Sequence, residues 1–81
     1  MNIYVGNLDY KVEEEDLKGL FEEYGTVTET RIITDKFSGR SKGFGFVIMD
    51  DNDEARKAIS ELSGASFKNR QLVVNEARPR E

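Results

Sequence analysis

Cysteine and histidine are both absent from this 81-residue chain, and with them go disulfides, thiolate chemistry, the usual zinc ligand sets and the commonest general base. No apolar run approaches the length of a membrane span, and no basic segment leading into an apolar stretch opens the chain. It starts Met1-Asn2-Ile3-Tyr4 and goes directly into strand-like sequence. The expectation is a soluble, unexported protein with no membrane role, cytoplasmic or, in a eukaryotic source, nuclear. A domain this small buries only about 60% of the surface of its unfolded chain, which leaves little room for a catalytic cavity. Arg, Asn, Lys and carboxylates are present, but without Cys, His or an evident cleft the chain is expected to be a binding module rather than an enzyme. No cofactor and no metal are expected.

A basic balance is lacking too. Twelve Lys and Arg against sixteen Asp and Glu give a net charge of −4, which as a global number argues against nucleic acid. The distribution reverses that argument. Glu13, Glu14, Glu15, Asp16, Glu22 and Glu23 crowd one segment against Lys18 alone, whereas Arg31, Lys36, Arg40 and Lys42 face only Asp35 over the next stretch. Lys68, Arg70, Arg78 and Arg80 form a second basic group, diluted by Glu76 and Glu81.

Local patterns divide the chain into six elements. Ile3-Tyr4-Val5, closed by Gly6-Asn7, reads as a strand. Leu17, Leu20, Phe21 and Tyr24 repeat at i, i+3, i+4, i+7, predicting a helix over 13–24 whose acidic start suits the helix dipole and whose stop is Gly25. Residues 27–33 and 42–49 read as strands joined through a turn at 35–41, hence a hairpin. Asp50-Asp51-Asn52-Asp53 offers N-caps for a second helix over 53–62, carried by Ala55, Ala58, Ile59 and Leu62. Residues 71–75 read as the last strand, and Pro79 removes the end of the chain from any ladder. The order β-α-β-β-α-β, with right-handed crossovers, predicts an α+β ferredoxin-like fold: a four-stranded antiparallel sheet with two helices on one face. One domain over 1–76 and a short tail over 77–81 account for the whole chain.

Such a sheet leaves one face open, and Lys42-Gly43-Phe44-Gly45-Phe46-Val47-Ile48-Met49 is apolar on both faces of its strand. Gly43 and Gly45 alternate with the rings, so the glycine side can accept close approach by the helices while Phe44 and Phe46 face water. If Val47 and Met49 join Ile3 and Val5 under the helices, Tyr4 joins the two phenylalanines outside. The competing arrangement buries Phe44 and Phe46 and exposes Val47. An exposed aromatic face would be a binding surface.

At these residues the chain closely resembles the RNA recognition motif family. Its octapeptide signature is matched by Lys42-Gly43-Phe44-Gly45-Phe46-Val47, and its hexapeptide signature by Ile3-Tyr4-Val5-Gly6-Asn7-Leu8. The resemblance spans essentially the full length and is similar to the small single-domain bacterial members. It implies that Tyr4 and Phe46 each stack a base, that Phe44 contacts sugars and that Lys42 pairs with a phosphate. It also implies that sheet edges and the last strand supply specificity, through Arg31, Ile33, Asn75, Ala77 and Arg78, with Asn7 a further candidate and Arg40 a loop contact. Lys42, Arg31 and Arg40 have a plainer reading as solvated surface charges. Two positions depart from the family pattern. Met49 stands where an aromatic is usual, and Glu13 stands where similar helices often carry a capping Thr.

The function expected is single-stranded RNA binding by base stacking, in post-transcriptional regulation or RNA chaperoning, by a monomer. Single-stranded DNA is a second possible ligand, because stacking needs no 2′-hydroxyl. The alternative is a protein-interaction module using the same open face or the acidic helix.

Overall fold

β-Branched Ile3 and Val5 favour extended backbone, and β1 runs over Asn2–Gly6. It is followed by α1 (Glu14–Glu22), β2 (Glu29–Thr34), β3 (Ser41–Ile48), α2 (Asn52–Leu62), the two-residue strands β4 (Ser66–Phe67) and β5 (Arg70–Gln71), and β6 (Val73–Ala77). The computed structural model describes residues 1–77. β2, β3, β1 and β6 lie side by side in that order as one antiparallel sheet, with β1 and β3 at its centre. Ile3, Val5, Val47, Met49 and Val74 are buried in one cluster with Leu17 and Phe21 of α1 and Ala55, Ala58 and Leu62 of α2. Both helices therefore cover the same face of a ferredoxin-like α+β fold. Each large side chain buried there contributes about 1.5–3 kcal/mol, and Met49 fills its position completely.

The helix starts differ in quality. Glu13 precedes α1 in extended backbone and forms a capping box with Asp16, whose Oδ2 accepts from the Glu13 N–H at 3.0 Å, while the Glu13 carboxylate itself makes no close cap bond. The carboxylate of Asp51 caps α2 fully, accepting from the N–H groups of Asp53 and Glu54 at 2.9 and 3.0 Å. Glu14 reaches from α1 to the outer edge of the sheet, where its Oε2 accepts from the Ile32 N–H at 3.3 Å. That contact occupies a donor that an edge strand would otherwise leave open.

The last third of the chain departs from the expectation of a strand over 71–75. Lys68 and Asn69 both adopt positive φ, 49° and 68°, which is what a two-residue hairpin turn of type I′ requires, and β4 pairs with β5 across them. Leu72 then links its N–H to Ala65 and its carbonyl to Gly64, so β6 begins two residues later than the pattern suggested. Ala77, assigned to the tail from sequence, closes β6 opposite Asn2. Arg78, Pro79 and the rest of the expected tail lie outside the described residues.

Replacing Glu13 by Thr, whose short hydroxyl caps better than a long carboxylate, is expected to raise stability by about 0.5 kcal/mol, and Asp51→Ala to lower it by about 1 kcal/mol. In a domain of this size each is a shift of several degrees in thermal unfolding, with opposite signs. Folding also lowers two carboxyl pKa values below their ordinary 3.8: Asp16, through the Glu13 N–H and then Lys68, and Asp35, through the N–H groups of Phe37 and Ser38. Such groups stabilise the native state above the unfolded pKa and stop doing so as pH falls through the native one. Urea titrations at stepped pH are therefore expected to show stability falling from 3.8 downward, with a flatter acid limb in Asp35→Asn.

Candidate nucleic-acid interface

The register of the two central strands sets Tyr4 opposite Phe46 and Ile3 opposite Val47. Ile3 and Val47 are fully buried, so strand alternation turns Tyr4, Phe44, Phe46 and Ile48 to the uncovered face. The three rings form one patch. Centroids of Tyr4 and Phe44, and of Tyr4 and Phe46, are 5.9 Å apart, and those of Phe44 and Phe46 are 6.3 Å apart at an interplanar angle of 89°. The arrangement with Phe44 and Phe46 in the core is thereby excluded.

The glycines serve this surface, though not by admitting the helices. A Cβ on Gly45 would collide with the main-chain carbonyl of Arg31, so the close neighbour is β2 and not a helix. Gly43 has φ +84° and sits where the β2–β3 pairing jumps from Ile32–Gly45 to Thr34–Ser41, a bulge that needs left-handed backbone. Its carbonyl accepts from the Leu8 N–H at 2.8 Å, which ties the start of β3 to the loop after β1. At Gly6 an added Cβ would lie 2.6 Å from Tyr4 Oη, so the tyrosine lies back along its own strand over a bare position.

Polar residues surround the rings unevenly. Arg31 lies opposite Phe46 on β2, and Asn75 lies opposite Tyr4 on β6, both exposed on the open face. Ile33, beside the bulge on β2, and Ala77, at the end of β6, are both half-buried. Lys42 and Arg40 do not sit over the rings; they line a groove off the end of the sheet. The Asn7 side chain is engaged elsewhere. Its amide donates to the Gln71 carbonyl at 2.6 Å and its oxygen accepts from Arg70 at 3.3 Å, fastening the β4–β5 hairpin to the loop after β1. Among the described residues no group of three or more potential ligands is placed to hold a metal ion, and no helix is long and apolar enough to cross a membrane.

The sequence model of the RNA recognition motif matches residues 3–73, from β1 to the first residue of β6. The chain belongs to the RNA recognition motif family. It is 51% identical over all 81 residues to a protein of the cyanobacterium Nostoc sp. named "Putative RNA-binding protein RbpE", of which it covers 82%. Among solved structures it is similar to RNA-binding protein PG1, with TM-score 0.96, 58% identity, and coverage of 100% of this chain and 98% of the other. A Sex-lethal protein–RNA complex superposes with TM-score 0.92 at 31% identity, covering 99% of this chain and 48% of that one.

In this RNA recognition motif both signature segments fall on the two central strands, where their aromatic residues share one face. One charged residue on that face is not apparent from the family signatures. Glu29 stands two residues before Arg31, on the same face by alternation, and its Oε2 is 3.4 Å from Arg31 Nε. The same period of two that exposes the rings was the signal for it. An exposed pair of this kind is worth at most about 1 kcal/mol, but it offsets the positive charge that a phosphate would meet beside Phe46. Glu29→Gln is accordingly expected to tighten binding of a short RNA severalfold at low salt and to leave it nearly unchanged at high salt, as read by fluorescence anisotropy.

Proposed function

We propose that this chain binds single-stranded RNA by laying about two to four nucleotides across the open sheet face. The observation that carries this reading is the patch of three aromatic rings, none more than 6.3 Å from the next, on a face that the fold leaves uncovered. Tyr4 and Phe46 stack bases, and Phe44 contacts the sugars between them. Each ring stacked on a base is worth ~1–3 kcal/mol whatever the base, so stacking supplies affinity and little discrimination. Discrimination falls to the edges, where Asn75 offers an amide beside Tyr4, Ile33 and Ala77 offer apolar contact, and Arg31 offers a guanidinium. Lys42 and Arg40 meet phosphates, and Asn7 acts through the hairpin it anchors. Arg78 belongs to the same set by its place directly after β6.

The names of the relatives, which describe RNA-binding proteins, support RNA as the ligand. The role we infer for that binding is post-transcriptional regulation or RNA chaperoning in the cytoplasm. A monomer suffices for this chemistry. Single-stranded DNA remains a second ligand, because nothing in stacking requires a 2′-hydroxyl. A protein-interaction role for the same face is disfavoured, since all three rings and Lys42 are present.

Titration of random-sequence RNA and DNA pools with wild type and with Phe44→Ala/Phe46→Ala tests the reading, with circular dichroism to verify the fold. The double variant is expected to lose at least tenfold in affinity. Few phosphate contacts imply a log–log salt slope of about −1 to −3, at roughly 0.7 per contact for single strands. Binding that ignores both rings, or no binding at low salt, overturns it.

A further inference from the structure

The backbone at Gly6 does not call for a glycine. Gly39, Gly43 and Gly64 adopt positive φ, but Gly6 does not. It ends β1, a central strand, where glycine is disfavoured because it loses much backbone freedom on folding and brings no side chain to pack. Strand alternation places it on the same face as Tyr4, the face that no helix covers, and yet it is buried. The tyrosine covers it. A Cβ at Gly6 would lie 2.6 Å from Tyr4 Oη and 2.9 Å from both Cε1 and Cζ, the three nearest atoms all being the tyrosine's.

These distances are too short for non-bonded atoms, so the phenol end of Tyr4 occupies the place that a side chain at position 6 would take. At Gly45 the obstacle to a Cβ is main chain of β2, and there the bare position serves the sheet; at Gly6 the obstacle is the far end of a side chain, and the bare position serves the ring. Lying along its own strand, the Tyr4 ring is inclined only 34° to that of Phe44, with Phe44 and Phe46 both 5.9 Å away. A base stacks only on a ring whose broad face is held toward it. A methyl group at position 6 leaves the strand intact and lifts the ring out of that orientation.

We infer that Gly6 is a positioning residue for RNA binding: by leaving vacant the volume of its missing side chain, it lets Tyr4 lie along β1 in the orientation that stacks a base. This rests on the sheet face being the RNA platform. Gly6 itself touches no nucleotide, since the ring lies over it, and it acts only through Tyr4.

The test titrates fluorescein-labelled random-sequence RNA hexamers with wild type, Gly6→Ala, Tyr4→Ala and the double variant, with circular dichroism to verify each fold. Gly6→Ala is expected to lose about fivefold in affinity and Tyr4→Ala at least as much. The double variant is expected to bind as Tyr4→Ala does, because the methyl group acts through a ring that is no longer there; a merely structural defect would add its own loss. In the RNA-free wild type the Gly6 Hα resonances are expected to be displaced by the ring current of Tyr4 and to return to ordinary values in Tyr4→Ala, a readout that decides the matter even if Gly6→Ala does not fold. Full affinity in Gly6→Ala beside a loss in Tyr4→Ala overturns the inference and leaves the sheet reading standing, as do additive losses in the double variant or Gly6 Hα resonances indifferent to Tyr4→Ala. Wild-type affinity in both Tyr4→Ala and Phe44→Ala/Phe46→Ala overturns the sheet reading, and the inference with it.

Discussion

β1 and β3 are paired at the centre of the sheet with Tyr4 opposite Phe46, and almost every other feature of the molecule depends on that register. With it in place, Ile3, Val5, Val47 and Met49 point to the helices and Tyr4, Phe44 and Phe46 point away. A slip of one residue on either strand would exchange the two sets, placing bulky rings under α1 and α2 and valines in water. The apolar core therefore enforces the register, and the register presents the rings. Gly45 is part of the same constraint, because only a residue without Cβ lets the backbone of β2 pack against β3 at Arg31.

Charge follows the same division into faces. Six of the sixteen acidic residues lie on or beside α1, away from the open face, where Glu14 and Asp16 are used locally to occupy backbone donors at Ile32 and Glu13. The net charge of −4 thus says little about what the rings meet. Glu29 is the exception, placing a carboxylate against Arg31 on the open face itself. Stacking rather than phosphate contact is left as the main source of affinity in the proposed mode, which fits a platform with few free cations.

Much of this was legible in the residues because it depends on local periodicity. The 3.6-residue spacing of Leu17, Leu20, Phe21 and Tyr24 and the alternation in β1 and β3 each imply a face, and the element order implies the sheet. The β4–β5 hairpin was not legible, since Lys68-Asn69 lacks the glycine that usually marks a type I′ turn and only the positive φ angles reveal it. Asn7 read as a candidate base contact, but its amide is engaged with Gln71 and Arg70, more than sixty residues away. The glycines of β3 were correctly tied to the open face for an incorrect reason: their neighbours are β2 and the loop after β1, which alternation along one strand cannot show.

By itself the sequence determined the class of fold, the identity of the buried and exposed faces and the aromatic character of the open one, because these follow from side-chain period and from sterics within a few residues. Tertiary structure alone decided which backbone each glycine admits, and that Tyr10, Arg70, Arg40 and Lys42 meet at one end of the sheet. Those facts depend on contacts between segments far apart in the chain. Their geometry exists only once the strands have paired and the loops have closed over them.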